Sequence, residues 1–394
     1  MKKCILWLTP PLLIFLSLAL FSCGSGQSSP TLTTPTPTIP FTVPTPFVLD
    51  EILPSLQFSP TNSPLCPNED YYRSLPEDYY SKKWESWIAN PPTSSGGTMG
   101  LISVSDGILL ALNTYEVPEQ KTITATIRYY YLGTGPGDTA PRSMRFILLL
   151  DEQQVTTKFD DVVQPYYDVI IHPGDDGAIT FDVPPLQPGI HDLNLVGFPD
   201  VDQEPNYLGV DAFFTYRFTL VSGGENSLLP RPYSHFRAGN RSWFKREVDN
   251  FWPGLAVSLE KNEMLDWNYP NPLLPVPLGK PLDFYLFAGY EDTGFGDYPD
   301  IPNAKEQPFA LIILDDYQQS AISSETPVIY GIVSNTTAWT RIPVHYFPSQ
   351  APGSHQIVVV RITYPGFPAC LLSIDERIYP DQLDFSRVWY EIVP

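Results

Sequence analysis

The sequence predicts an all-β protein in which two tandem β-sandwiches follow an N-terminal segment. The first observation is the composition, because 44 prolines disfavour long helices while 23 tyrosines and 22 phenylalanines favour pleated, half-buried strands. The second is a repeat: a proline-set turn that leads into an alternating strand occurs at 184–196 and again at 348–360. A motif that recurs in this way indicates two copies of one domain.

The first 22 residues have the parts of a secretory signal. Two lysines precede an apolar run at 5–21, which is short for a membrane-spanning helix. The run ends in Leu20-Phe-Ser-Cys23, which resembles the lipobox of bacterial lipoproteins, although Phe21 is bulkier than usual. The resemblance implies cleavage before Cys23 and a diacylglycerol on its sulfur. We therefore expect an exported protein, anchored by lipid to the outer face of the cytoplasmic membrane or in the cell envelope. The alternative is an ordinary signal peptide with an incidental cysteine.

A spacer and a short helical segment come before the sandwiches. Residues 23–65 are rich in proline and threonine, which predicts a disordered, extended chain whose more apolar second half docks on the domains. Within 66–97 we expect a helix at 77–89, since prolines mark its start and follow its end. Its apolar residues recur at helical spacing, which is typical of a helix packed on its own protein. They are Tyr80, Trp84, Trp87 and Ile88.

The first sandwich is predicted at 98–223. Apolar and polar residues alternate at 123–131, and a continuous apolar run at 146–150 indicates a buried strand. Two further strands, at 169–171 and 179–183, are joined by a Pro-Gly-Asp-Asp-Gly sequence. This turn sequence predicts that they form a hairpin.

The second sandwich, at 253–394, repeats these landmarks. Leu150-Asp151 matches Leu314-Asp315, and Gly189 matches Gly353 at the same spacing, which predicts an alignment without a gap. Tandem sandwiches of this kind resemble the immunoglobulin-like and fibronectin-like modules of surface proteins. The predicted organisation is a signal peptide at 1–22, a Pro/Thr-rich spacer at 23–65, a helical docking segment at 66–97, a first sandwich at 98–223, a basic and aromatic connector at 224–252 and a second sandwich at 253–394.

The charge and the missing motifs narrow the function. A net charge of −21 repels phosphates, so nucleic acid is not an expected partner. No hydrolase, phosphate-binding or dinucleotide-binding motif is present, and no cofactor is expected. His191 and His355 occupy equivalent positions in the two copies, which favours a role in the fold, such as bonding a neighbouring turn, over proton transfer.

The connector carries the candidate binding residues. Bases and aromatics alternate in it, which is consistent with a strap across two acidic domains or with binding of an anionic wall polymer or glycan. Stacking on nucleic acid is the least favoured of the three readings. The candidates are Arg237, Arg241, Trp243, Lys245 and Arg246.

Two Thr-Gly-x-Gly-Asp loops raise the question of calcium. Their glycines expose backbone carbonyls, and Asp138, Asp297 and Asp300 would add carboxylate oxygens. Calcium needs six to eight oxygen ligands, so plain connecting loops are favoured and no metal is expected.

Cysteine usage predicts one disulfide. Cys4 leaves with the signal and Cys23 takes the lipid, so Cys66 and Cys370 remain in an exported protein. We expect these two to be joined, with two separate buried thiols as the alternative.

Together these observations predict a non-enzymatic envelope protein with an adhesive, scaffolding or ligand-binding role. An envelope protein or a glycan is the expected partner, besides the membrane. The alternative is a glycan- or wall-polymer-binding module, which Trp243, Trp252, Trp267 and Tyr269 suggest. A hydrolase that uses acidic residues would need two carboxylates about 5–9 Å apart across a cleft.

Overall fold

The structure is a computed structural model, and it describes the chain from residue 51 onward with several gaps. The described residues are 51–52, 65–66, 68–76, 78–89, 97–133, 138–201, 214–224, 227–235, 255–259, 273–289, 306–322, 327–334, 339–348, 350–371, 373–374, 377–378 and 383–394. They open with strand β1 (Glu51–Ile52) and helices α1 (Glu69–Arg73) and α2 (Tyr79–Ala89).

The first sandwich consists of the strands that follow α2. They are β2 (Gly97–Val104), β3 (Ile108–Ala111), β4 (Thr114–Val117), β5 (Ile123–Gly133), β6 (Arg142–Leu150), β7 (Gln153–Gln154), β8 (Thr157–Phe159), β9 (Val162–Gln164), β10 (Tyr167–Ile171), β11 (Asp176–Val183), β12 (Gly189–Pro199) and β13 (Phe214–Ser222). One sheet has the order β2-β5-β11-β8-β9, and the larger has the order β10-β6-β12-β13-β4-β3 with β7 beside β6.

The second sandwich uses the remaining strands. They are β14 (Ser234–His235), β15 (Leu255–Ser258), β16 (Leu274–Pro277), β17 (Leu282–Gly289), β18 (Glu306–Asp315), β19 (Gln318–Ser320), β20 (Val328–Ser334), β21 (Trp339–Tyr346), β22 (Gly353–Thr363), β23 (Ser373–Ile374), β24 (Arg377–Ile378) and β25 (Leu383–Val393). One sheet has the order β15-β17-β21, and the larger has the order β1-β14-β20-β18-β22-β25-β16 with β19 beside β18. A short 3₁₀ turn lies at Ala369–Leu371, and β23 pairs with β24 alone.

The two sandwiches repeat one strand order. In the small sheets, β2-β5-β11 corresponds to β15-β17-β21, and in the large sheets β10-β6-β12-β13-β4 corresponds to β20-β18-β22-β25-β16. Even the parallel pairing of the last two strands is repeated, in β13 with β4 and in β25 with β16. The predicted fold class, all-β with two tandem immunoglobulin-like sandwiches, is therefore confirmed.

Each sandwich encloses its own apolar core. The predicted alternating strand at 123–131 lies in β5, where every second residue from Ile123 to Tyr131 is buried. These inward residues meet Phe146 and Leu148 of β6 from the facing sheet. Burial of both inner faces supplies the main driving force for each module.

Two sequence predictions need correction in detail. The Pro-Gly-Asp-Asp-Gly turn does not close a hairpin, because β10 pairs with β6 in one sheet and β11 pairs with β5 in the other. The turn therefore carries the chain between sheets. The predicted helix begins at Tyr79, two residues later than expected. The expected docking of the spacer's second half is seen at its described residues, since β1 joins a sheet and Leu65 is 5% exposed.

Candidate functional site

A third apolar cluster joins the two sandwiches, and we call this region the joint. In β12, Leu193 and Leu195 point into the core of the first sandwich, whereas Val196 and Phe198 point into the joint. Strands buried on both faces in this way read as nearly continuous apolar runs, as β18 and β22 also do. The buried residues of the joint are Ile147, Leu149, Val196 and Phe198 from the first sandwich and Ala310, Ile312, Leu314, Tyr317, Val328, Val358, Val360, Ile362, Leu383 and Phe385 from the second.

Two glutamines mark a pseudo-twofold relation across the joint. The backbone amide of Gln154 donates to the side-chain oxygen of Gln319, and the amide of Gln319 donates to that of Gln154. Gln154 Nε2 also donates to the Tyr317 carbonyl at 3.1 Å, and Gln319 Nε2 donates to the Glu152 carbonyl at 3.0 Å. Such reciprocal contacts are the pattern of an isologous interface. Here they join equivalent hairpins of one chain.

A buried ion pair holds a loop of the second sandwich against the first. Arg217 Nε donates to Asp192 Oδ1 at 3.0 Å, and both residues are almost fully buried. The other guanidinium nitrogens donate to the carbonyls of Thr363 and Tyr364. Asp192 Oδ2 in turn accepts the amide of Gly366 at 3.2 Å. Because every partner is a hydrogen-bonding group, the desolvation cost of the two charges is offset across the joint.

A second buried ion pair involves the connector. Arg231 donates twice to the Glu152 carboxylate at 2.9 Å, and the Tyr330 hydroxyl adds a third hydrogen bond at 2.9 Å. Burial by itself lowers the pKa of Arg231, but the facing carboxylate more than offsets this and the pKa is raised. A basic residue of the predicted strap therefore binds an acidic residue of the first sandwich, with Tyr330 of the second alongside.

The predicted disulfide is confirmed and lies beside these ion pairs. Cys66 and Cys370 are bonded, with their α-carbons 5.7 Å apart and a sequence separation of 304. The bond is packed among Leu110, Ile190 and Val221 of the first sandwich. It fixes the N-terminal segment and the loop of the second sandwich to the same apolar surface.

The two equivalent histidines both serve the fold, as predicted. His191 Nδ1 lies 2.7 Å from Asp151 Oδ2 and Nε2 lies 2.8 Å from the Gln187 carbonyl. His355 makes the same contacts with Asp316, at 2.7 Å, and with the Ala351 carbonyl. Each ring thereby ties the proline-set turn before a strand to the hairpin turn of the neighbouring strand.

This equivalence corrects the predicted alignment by one residue. Asp151 corresponds to Asp316, because both open two-residue hairpin turns with positive φ, at 48° and 47°. Asp315, the residue matched from the sequence, ends β18 and corresponds to Leu150. The copies therefore align with a one-residue shift between β6 and β12.

Asp315 forms a separate cluster within the second sandwich. Its two oxygens accept hydrogen bonds from the hydroxyls of Tyr346 and Tyr390, both at 2.7 Å. Burial raises the pKa of Asp315, and the two phenol hydrogen bonds oppose the rise.

Helix α2 covers the outer face of the small sheet in the first sandwich. Trp84 is fully buried, its Nε1 donates to Asp176 Oδ1 at 3.0 Å, and the Arg128 guanidinium lies 5.3 Å from its ring centre. Tyr80 packs against the core beneath. The predicted stripe thus packs on its own protein.

The structure describes only part of the predicted site. Asp138 Oδ1 accepts the amide of Ala140 at 3.0 Å, the arrangement of a local turn. In the part of the chain that the structure describes, no three acidic, histidine or cysteine residues come together as a metal site. The residues outside that part are Cys23, Arg237, Arg241, Trp243, Lys245, Arg246, Trp252, Trp267, Tyr269, Asp297 and Asp300.

The charged residues of the joint were not singled out from the sequence. Arg217 lies between Phe214 and Phe218, and Asp192 directly precedes the apolar Leu193. A charge among such residues is the signal that could have indicated their burial. Their burial also bears on chemistry. A general acid or base must reach a substrate proton, whereas Glu152 is 1% exposed and Asp192 is fully buried. These carboxylates hold the modules together.

Across the described residues, no helix combines the length and the apolar character needed to cross a bilayer.

No protein-family model and no curated protein matches the sequence. Several solved structures are similar at a low level. A CARDB domain from Pyrococcus furiosus, in complex with di-metal ions, is 15% identical, with 34% of this chain and 95% of that chain covered and a TM-score of 0.23. The Yersinia pseudotuberculosis adhesin InvE is 10% identical over 75% of this chain and 61% of that chain, with a TM-score of 0.18. Fibronectin(III)-like modules of Clostridium thermocellum CbhA are 10% identical over 74% and 94%, with a TM-score of 0.16. These values are too low to transfer a function.

Proposed function

We propose that this protein is exported, carries lipid on Cys23 and acts in the cell envelope as a non-enzymatic scaffolding or adhesive protein. The observation that carries the proposal is the joint. Two sandwiches that share an apolar cluster, two buried ion pairs and a disulfide act as one rigid body. A rigid body presents its surfaces at a fixed orientation, which lowers the entropy cost of binding a large partner.

The chemistry of the joint supports a binding role over catalysis. Its buried acidic residues already accept hydrogen bonds from arginine, tyrosine or backbone groups of the same chain. The net charge of −21 favours an envelope protein or a basic surface as partner and disfavours nucleic acid.

Membrane fractionation tests the lipid anchor. Cys23→Ser should move the protein from the membrane pellet to the soluble fraction, because the thioether can no longer form. Cys4→Ser is the matched control and should leave the protein in the pellet, since Cys4 lies before the expected cleavage site. If the Cys23→Ser protein still sediments after a salt wash, the anchor is elsewhere.

A distance measurement tests the rigid body. Spin labels are introduced through unnatural amino acids at Val163 in the first sandwich and Leu278 in the second, which are 69% and 58% exposed. We expect one narrow distance distribution, as narrow as for a control pair within the first sandwich, Val163 with Ile108. A broad distribution for the Val163–Leu278 pair alone would show modules that move independently and would overturn the proposal.

A further inference from the structure

The large sheets of the two sandwiches differ at one equivalent edge. In the second sandwich, the strand beside β18 is β20, and the chain itself covers its outer side. Strand β14 pairs in parallel with β20, with Ser234 opposite Gly331, and β1 pairs in turn with β14. In the first sandwich, the equivalent strand is β10, beside β6. Within the ranges that the structure describes, no strand lies on the outer side of β10.

The open edge is also apolar. Ile170 in β10 is 65% exposed, and Val162 and Val163 in β9 are 56% and 69% exposed. Strand β9 is the edge of the facing sheet, and the stacked rings of Phe159 and Tyr167, 5.8 Å apart, hold its hairpin beside β10. Exposed edge strands with aliphatic side chains are templates for another strand unless they are covered or charged.

The side chains of β10 define what could pair with it. Tyr167, Val169 and Ile171 face the core of the first sandwich. Asp168 and Ile170, two residues apart, therefore lie on the opposite face of the sheet, which carries the joint at Ile147 and Leu149 of β6. Asp168 accepts both hydrogen bonds of Arg145, yet its side chain remains 44% exposed. A strand added here would place one residue opposite each of them, and opposite charges or matched aliphatics stabilise such pairs.

We propose that the outer edge of β10 is an interaction surface that binds an extended peptide segment of a partner protein by strand addition. The segment carries a lysine or arginine opposite Asp168 and an aliphatic residue opposite Ile170, with Val162 and Val163 as a second apolar contact. The second sandwich supplies the structural precedent, because its equivalent edge already holds extended strands. This proposal rests on the proposed scaffolding role and specifies the chemistry of the partner. It does not depend on the lipid anchor.

A second copy of this chain fits the edge less well. Antiparallel pairing of β10 with itself, centred on Val169, places Asp168 opposite Ile170 of the other copy at both ends. This sets a carboxylate against an aliphatic side chain twice. Two chains of net charge −21 also repel one another. A basic, aliphatic segment from another protein meets neither obstacle.

The test is selection from a displayed library of random nine-residue peptides on the purified full chain in detergent. We expect enriched peptides to contain a basic and an aliphatic residue two positions apart. They should slow hydrogen exchange of the backbone amides in β10. Ile170→Lys and Val163→Lys should weaken binding at least about tenfold, because charge on an edge strand blocks strand addition. Ile108→Lys is the matched control, since Ile108 is 51% exposed on β3 at the opposite edge of the same sheet, and it should change affinity less than about twofold.

Three outcomes would overturn the inference. They are a selection that enriches no such pattern, peptides that protect a strand other than β10, and binding that Ile170→Lys leaves intact. Self-association that Ile170→Lys abolishes would assign the edge to a second copy instead. Thermal unfolding of each variant confirms that the fold is retained. Because the assay uses purified protein, a negative result would not bear on the lipid anchor or on the rigidity of the joint. Membrane fractionation and the distance measurement test those two separately.

Discussion

The first and second sandwiches share one strand order but differ in chemistry at equivalent positions beside the joint. Leu150 of the first corresponds to Asp315 of the second, and Glu152 corresponds to Tyr317. After the equivalent histidines, the first copy has Asp192 and the second has Gln356. Backbone hydrogen bonds make the strand ladder in both copies, so these side chains are free to differ. The two copies therefore keep the same strand order, while the side chains at equivalent positions form different interactions.

The divergence makes the joint asymmetric. In the hydrogen bonds described above, the first sandwich contributes the buried side chains of Glu152, Asp192 and Arg217, whereas the second contributes backbone carbonyls, a backbone amide and the Tyr330 hydroxyl. The reciprocal glutamine contacts, in contrast, are symmetric. The two copies have become complementary halves of one interface.

The largest expected effect on stability comes from Cys370, which lies after β22, whereas the segment that follows the equivalent strand β12, up to β13, contains no cysteine. The double variant Cys66→Ser/Cys370→Ser opens a covalent loop of about three hundred residues, and loop-closure entropy assigns about 5 kcal/mol to such a bond. Denaturant unfolding of the double variant should show a decrease in unfolding free energy that approaches this value. Reduced wild-type protein serves as the control and should match the variant. A loss below about 1 kcal/mol would mean that packing alone holds the loop.

A smaller loss of stability is expected from a substitution at Asp315, the position at which the first copy has Leu150. Asp315→Leu should cost about 2–4 kcal/mol of unfolding free energy, because Tyr346 and Tyr390 lose their buried acceptor. The triple variant that adds Tyr346→Phe and Tyr390→Phe should recover most of the loss, since both sides of each hydrogen bond are then removed. If the triple variant is no more stable than the single one, the cluster is not an isolated unit.

The smallest expected effect is the pH dependence of stability that the two equivalent histidines cause. Burial lowers the pKa of His191, but the hydrogen bond and charge of Asp151 and the Gln187 carbonyl raise it above its ordinary value overall. The pKa of His355 is raised in the same way by Asp316. A raised histidine pKa contributes stability that is present below about pH 6.5 and is lost as pH rises through the folded-state pKa.

The measurement is denaturant unfolding of His191→Gln and His355→Gln from pH 5.5 to 9. Each variant should lose about 1 kcal/mol at low pH, the usual size of a buried hydrogen bond, and the difference from wild type should shrink toward pH 9. His172→Gln, at an exposed histidine, is the control. A difference that grows with pH would contradict the assigned partners.

Local patterns in the sequence predicted the strands, the tandem repeat and the helix because these depend on residues close together in the chain. The disulfide followed from elimination, since an exported chain with two remaining cysteines has one pairing. The hairpin at 173–177 was wrong because a turn sequence does not specify which sheet the next strand joins. The one-residue shift at Asp316 was hidden because adjacent aspartates make either match acceptable.

The joint could not be predicted because its contacts are long-range. Arg217 and Thr363 lie 146 residues apart, and Arg231 and Glu152 lie 79 apart. A charged residue among apolar neighbours can indicate burial, but the sequence does not show which group of the other module it binds. The connector residues Arg237 and Trp243 remain predictions, as they lie outside the described residues.

The Cys66–Cys370 bond also determines how tension would travel through the molecule. A pull applied between the chain that precedes Cys66 and residue 394 passes from Cys66 across the bond to Cys370, so residues 67–369 carry none of the load. The first sandwich lies entirely within this shielded length. Among the described strands of the large sheets, β1 lies in the load path before the bond and β25 after it, and β25 is held by β22 on one side and β16 on the other. Reduction of the bond would release roughly 1,000 Å of chain into the load path, at about 3.3–3.6 Å per residue. The bond thus carries tension past the first sandwich and most of the second.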